Sequence, residues 1–367
     1  MALNTISSDR LSTNVKNTNF TAAEKQDLTD DIKPLLGSSG GGGKNKIING
    51  SMICSQRGSS LAYTGSTNAY LLDRFKFLNA HDGASTVSQS STSPDGFSNS
   101  LKIDVTTADT SLAVSQFSNL SQRIEAQNLQ DLGYGTSGAK TITVSFYVRS
   151  NKTGNYVFNI QQADNSYKQV SQTYTINSAD TWERKTFSFA GDTSGVINND
   201  NGSGLELYWW LLAGTTYTSG SSRSAYTTYS NGDAAAGQTV NLFDNTSNEW
   251  YITGVQLEVS SVATDFEHRS FGQELQLCCR YFQHLGRDDK LVYVTQTLGS
   301  YNPATFLVFP VEMRAAPTST INQTTNNNGT ISTSDLSPRN VAINIARSGS
   351  SAAFQQAEFD IKFSAEL

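Results

Sequence analysis

Three cysteines, Cys54, Cys278 and Cys279, are all that 367 residues contain, and two of them are neighbours. Consecutive trans Cα atoms sit about 3.8 Å apart, short of the roughly 4.4–6.8 Å spanned by a relaxed disulfide. A disulfide framework is therefore excluded, and three free thiols made in a reducing cytoplasm are expected. Charge is equally sparse: 16% of residues are charged and 37% hydrophobic, both low for a globular chain. The net charge of −6 argues against a nucleic-acid partner, which calls for a basic surface. No run approaches the 18 or so apolar residues of a membrane span, and "MALNTISSDRLSTNVK" lacks the apolar centre of a signal peptide. Metal-binding spacings are missing too. His81, His268 and His284 form no H-x-x-x-H or H-E-x-x-H pattern. Helical neighbours such as Cys278 and Cys279 point about 100° apart, unlike the C-x₂₋₄-C spacing of zinc sites.

Ser, Thr, Asn, Gln and 28 glycines fill the space, with 15 Tyr and 18 Phe. Low charge, abundant Thr and Tyr, and many turn formers point to an all-β protein. The first segment reads separately. "FTAAEKQDLTDDIKPLL" opens on a Thr21–Glu24 capping box, and Leu28, Ile32 and Leu35 mark one helical face before "GSSGGGGKN" acts as a tether. A short helix with an apolar stripe and a flexible tether predicts an anchoring peptide over about 1–45.

Beyond it, "TITVSFYVRS", "NYVFNIQQ", "WERKTFSFAG", "LELYWWLLAG" and "EWYITGVQLEV" read as strands. "LELYWWLLAG" is apolar enough to be buried on both faces. With long polar loops and no helix between them, these strands predict a jelly-roll β-sandwich over 46–268. A second capping box, Ser270 and Gln273, opens an interdomain helix marked by Leu275, Cys278 or Cys279, and Phe282. "KLVYVTQTLG", "ATFLVFPVEM", "VAINIARS" and "AEFDIKFSAEL" then predict a second β domain over 269–367.

Chemistry reads weakly against this frame. His268, between Glu267 and Arg269, is expected to be a salt-bridged joint residue. Asp200, Glu206, Asp288 and Asp289 are carboxylates that the sequence does not bring together, so no catalytic residue is assigned and the chain is not expected to be an enzyme. "NNDNGSGLE" reads as an Asx-rich turn rather than a metal loop. Sugar rings stack on exposed aromatics, which makes Trp209, Trp210, Tyr217, Tyr226 and Tyr229 the candidate glycan contacts. Trp209 and Trp210 face opposite ways along a strand, so one of the two is expected inside the sandwich.

"NKIINGSMI", "TITVSFYVRS", "TWERKTFSF" and "EWYITGVQLEV" occur in an order that resembles jelly-roll carbohydrate-binding modules over about 45–259. "KIINGSMICSQRGSS", "DRFKF", "VQLEVSSVATDFEHRSFGQELQLCCRYFQ" and "FPVEMRAAPTST" are similar to bacteriophage appendage proteins of the tail-fibre kind, over about 46–317. The resemblance implies a virion structural protein, homotrimeric, attached to other virion proteins through its N-terminus and binding a host-surface polysaccharide for adsorption. A head fibre, capsid decoration or neck protein with the same body, and a polysaccharide depolymerase, are the alternatives. Carbohydrate-binding jelly rolls often hold a structural calcium through an acid on the closing strand. Here Thr253 and Gly254 stand in that place, so no cofactor is assigned; a backbone carbonyl or Glu258 is the substitute ligand.

Overall fold

The computed structural model describes residues 43–287, 290–296, 304–327, 329–347 and 354–367. The anchor residues Leu28, Ile32 and Leu35 lie outside the described residues, as do Asp288 and Asp289. Asn45–Leu367 forms one compact unit, built from antiparallel strands numbered here along the chain.

Two sheets make a sandwich. One runs β1 (Ser60–Thr64), β4 (Ala84–Ser90), β5 (Ser100–Thr107), β13 (Glu249–Val259), β7 (Ile142–Ser150), β10 (Glu183–Phe189). The other runs β12 (Arg223–Thr227), β9 (Lys168–Ile176), β8 (Gly154–Gln162), β11 (Ser203–Ala213), β6 (Phe117–Glu125), β3 (Lys76–Ala80), β2 (Thr67–Tyr70). This is the all-β jelly-roll architecture that the alternating runs predict. Inward residues of both sheets, among them Phe146, Phe158, Phe187, Trp209 and Trp250, share one core. Trp209 packs edge-on to Phe146 at 5.8 Å and tilted on Phe158 at 5.1 Å. Such pairs add about 0.5–1.5 kcal/mol each beyond burial.

Several strands have no clear signature in the sequence. β1 to β4 are four to seven residues long, and in the nine-residue β6 (Phe117–Glu125) the apolar alternation is broken by Ser and Asn. β12 lies within "TTYTSGSSRSAYTTYS", which reads as loop; it pairs with β9 through a register shift and extends the sheet.

The C-terminal portion holds two further sheets. β20 (Phe354–Ser364) pairs with β14 (Phe282–Leu285), β15 (Leu291–Gln296) and β17 (Thr318–Asn327), while β19 (Asn340–Arg347) pairs with β16 (Ala304–Val308) and β18 (Gly329–Ser334). Phe309, Met313, Val341, Phe359, Ile361 and Phe363 form their core. β17 and β18, "TSTINQTTNN" and "GTISTS", are too polar to register as strands by apolar period.

The joint between these portions is the segment 260–281. After β13 the chain turns back on its own strand: Glu258 accepts from the Thr264 N–H at 2.9 Å, and Gln256 from the Glu267 N–H at 2.8 Å. The helix α2 (Phe271–Cys279), preceded by the single turn α1 (Thr215–Thr218), starts on the predicted capping box of Ser270 and Gln273. Phe282, however, is not helical; it opens β14. Among the described residues His268 makes no ion pair either. Its ring packs on Phe97 at 5.2 Å and Phe266 at 4.9 Å, and Arg269 makes the ion pairs, with Glu267 and Glu274. All three thiols are free, Cys54 and Cys278 buried, and burial pushes the Cys278 thiol well up, with Cys54 beside it.

One buried histidine has a pH consequence. His81 accepts the Gly83 N–H on Nδ1 at 2.9 Å and lies against Phe243 at 4.1 Å. Burial lowers its pKa to about 4, against the opposing pull of Asp109 and Asp82. Between the ordinary value of 6.5 and about 4, the unfolded chain takes up a proton that the folded chain refuses. Stability is therefore full above about pH 6.5 and falls as pH drops toward 4. The loss expected is roughly 2 kcal/mol, allowing for partial solvation. Urea titrations between pH 7.5 and 4 check this, and His81→Asn should flatten the slope in that window.

Candidate functional site

The outer face of the seven-stranded sheet is built by strand alternation. On β11, Leu205, Leu207, Trp209 and Leu211 fill the core, which sends Glu206, Tyr208 and Trp210 to the other face. Register then sets their neighbours. Glu206 lies opposite Arg123 of β6 and Gln161 of β8, and Gln161 lies opposite Gln169 of β9. In the next row Tyr208 is flanked by Ser121 and Asn159. Residues opposite in such a ladder share a face. The result is a polar row, Arg123–Glu206–Gln161–Gln169, spanning about 14 Å over three strand spacings.

Its groups are fixed by one another. The Glu206 carboxylate, 2% exposed, pairs with Arg123 Nε at 3.1 Å and accepts the Tyr208 hydroxyl. Burial, then the Glu206 carboxylate beside it, pushes the Tyr208 phenol far above its ordinary range. Burial opposes the charge on Arg123, but Glu206 holds its guanidinium pKa above the usual value. Gln161 donates to Asn159 Oδ1 at 2.9 Å, which keeps its own carbonyl as an acceptor, and Asn159 donates to the Val170 carbonyl at 3.1 Å. Gln169 donates to the Ser230 carbonyl at 2.7 Å, tying the row to the neighbouring loop.

That loop and the turn between β8 and β9 supply one aromatic wall each. Tyr229, 38% exposed, meets Tyr167, 47% exposed, edge-on at 6.5 Å. Its hydroxyl donates to Asn231 at 2.7 Å. Ser166 and Tyr167 both adopt left-handed backbone, with φ of 51° and 58°. A bulky residue held there is strained, a feature that gathers at binding sites.

Of the five aromatics predicted to meet ligand, the structure leaves Tyr229 exposed. Trp209 is 0% exposed inside the sandwich and unavailable to a sugar. Trp210 does face outward, but it is 4% exposed, because the chain after α1 folds back and packs Ala234 and Ala235 on it. Tyr217 is half-buried against Phe117 and Trp210, and Tyr226 stands edge-on to Tyr134. Tyr167, Tyr208, Arg123 and Gln161 were not legible as site residues; an aromatic beside the "DNS" turn was the available hint for Tyr167.

At the position where a calcium-binding jelly roll carries an acid, Thr253 donates to the Asn99 carbonyl at 2.8 Å. Gly254 takes a left-handed bulge (φ 61°), and a Cβ there would meet Phe97 at 2.7 Å. Glu258 is engaged by Gln256 and Thr264. Among the described residues no three His, Cys, Asp or Glu side chains converge as a metal-ligand group.

No known family model and no curated protein matches the chain. Among solved structures it is similar to one described as a "putative sugar binding protein" from Bacteroides thetaiotaomicron, at 14% identity and TM-score 0.32, covering 59% of this chain and 100% of that one. A family 11 carbohydrate-binding module from Clostridium thermocellum matches at 9% identity and TM-score 0.27, covering 56% and 98%. The enzymatically active domain of tailspike protein 4 of bacteriophage CBA120 matches at 13% identity and TM-score 0.31, covering 59% of this chain and 21% of that one. The match thus spans about a fifth of the tailspike chain, and at these scores none of the three carries a functional argument.

Proposed function

We propose that the chain is the body of a phage virion appendage of the tail-fibre kind, which binds a host-surface glycan non-covalently during adsorption. The observation that carries this reading is the exposed pair Tyr167 and Tyr229 beside the half-buried Arg123 and Tyr208, which the buried Glu206 holds in place from within the sheet face. Sugars offer hydroxyl groups to polar side chains and C–H faces to aromatic rings, and here the Arg123 guanidinium and Tyr208 phenol meet the first while the Tyr167 and Tyr229 rings meet the second. A prelocked carboxylate–guanidinium–phenol cluster loses little freedom on binding. On an array of bacterial surface glycans, Glu206→Gln and Tyr229→Ala should each weaken binding about tenfold while the circular dichroism spectrum stays unchanged. Sustained release of reducing ends by the purified protein would instead make it a depolymerase.

A homotrimer attached to the virion through the N-terminal segment belongs to the same reading, and it multiplies weak sites into avidity. Its support is an apolar edge. Val292 and Val294 on β15, and Phe306 and Val308 on β16, are 57–73% exposed. Among the described residues each strand pairs on one side only. Thr305 of β16 bonds Tyr293 of β15 at 3.2 Å, bringing the two edges together. Uncharged apolar edges are what monomeric sheets avoid. The wild type should therefore run as a trimer in light scattering at micromolar concentration, and Phe306→Lys with Val308→Lys as a monomer. A monomeric wild type would remove this part of the reading.

A further inference from the structure

Two cavities, of about 540 and about 390 Å³, open beside α2. Phe271 and Ile53 line both, so they form one groove in which Phe271 is the ridge. Phe271 is the first residue of the helix and 58% exposed. The cap does not need its ring, since Ser270 and Gln273 bond one another's backbone N–H groups. On one side stand Phe97, Asn99 and His268; on the other, Gln56, Gln89 and His284. Among the described residues the charged side chains that line the cavities are Arg269 and Arg287, and no carboxylate does.

We propose that this groove is a second saccharide site, which takes a linear oligosaccharide with one ring stacked on Phe271 and its neighbours in the two cavities. Each cavity falls in the range of about 300–1,000 Å³ typical of small-ligand sites. The polar groups suit hydroxyls. Asn99 accepts from Ser98 Oγ at 3.0 Å on its carbonyl, which leaves its amide as a donor. Gln89 donates to the Met52 carbonyl at 2.7 Å, which leaves its carbonyl as an acceptor. A nucleic acid fits poorly, because Arg269 is held by Glu267 and Glu274, His284 by Asp360, and Arg287 donates to the Ser55 carbonyl at 3.0 Å. A peptide helix would need a continuous apolar trough, and here amides, imidazoles and arginines stand around Phe271 and Phe97. The groove stands apart from the sheet-face row and shares no residue with it.

Phe271→Ala separates the two sites, because the cap is retained and the ring lies in solvent. The probes are linear hexasaccharides, neutral and uronic-acid-bearing, titrated by calorimetry, with a diazirine-tagged form of the best binder for labelling. The expected result is a loss of about tenfold in affinity for Phe271→Ala and recovery in Phe271→Trp. Labelled peptides should fall within 51–56 and 268–271. Affinity that ignores Phe271→Ala, labels confined to the sheet face, or no hexasaccharide bound at millimolar concentration would each overturn it. Loss in Glu206→Gln alone would leave the sheet-face reading standing and remove this one.

Discussion

Glu366→Gln is expected to destabilise the fold by about 3–5 kcal/mol, the cost of leaving a buried charge without its partner. The charge is Arg74, 1% exposed, whose guanidinium pairs with the Glu366 carboxylate and donates to the Arg123 carbonyl at 2.5 Å. It also lies over the Tyr281 ring at 3.5 Å. Burial works against the charge of Arg74, but Glu366 and Tyr281 hold its pKa above the ordinary value. Arg57 grips the other Glu366 oxygen at 2.8 Å and sits over the Phe282 ring at 3.7 Å. The next-to-last residue of the chain is thus clamped to the jelly roll. Thermal and urea unfolding measure the loss. The double variant Arg74→Met, Glu366→Leu should recover most of it, since apolar pairs of similar volume replace buried ion pairs at little cost. A single-variant loss below 1 kcal/mol would mean that the clamp is solvated.

Gly50→Ala is expected to cost as much or to prevent folding. A Cβ on Gly50 would lie 2.2 Å from the Val255 carbonyl oxygen and 3.2 Å from its carbon. Both are backbone atoms of β13, and the Val255 N–H already donates to the Gly50 carbonyl at 2.9 Å. Asn45 fixes the same contact, donating to the Val255 carbonyl at 3.1 Å and accepting from the Leu257 N–H at 3.0 Å. Neither chain can retreat without breaking these bonds, so a loss of roughly 3–5 kcal/mol follows. Gly272→Ala is the control: nothing lies within 4 Å of its Cβ, and an alanine in α2 should be neutral or stabilising by up to about 1 kcal/mol. Equal losses at the two glycines would contradict the close-approach explanation.

The "NKIING" and "VQLEV" segments therefore answer one another across more than 200 residues, which no local pattern reveals. What was legible depended on local rules. "TITVSFYVRS" alternates cleanly and becomes β7; Ser270 and Gln273 cap α2 as their spacing requires. The candidate site followed a different rule. Arg123, Glu206 and Gln161 meet because β11 lies between β6 and β8, a pairing order out of chain sequence, and in their own strands they read as ordinary polar positions. Trp209 and Trp210 show the same limit. Period two places them on opposite faces correctly, but the burial of Trp210 depends on Ala234 and Ala235 folding back over it. Polar strands such as β17 are held by β20 rather than by their own apolar pattern.

The central claim is that the sheet face binds glycan. Its most direct test is an equilibrium titration of the strongest array glycan against the wild type and the Glu206→Gln, Tyr229→Ala double variant, with folding checked by thermal unfolding. The account predicts saturable binding by the wild type and a loss of about a hundredfold in the folded double variant. Unchanged affinity in that variant would contradict it.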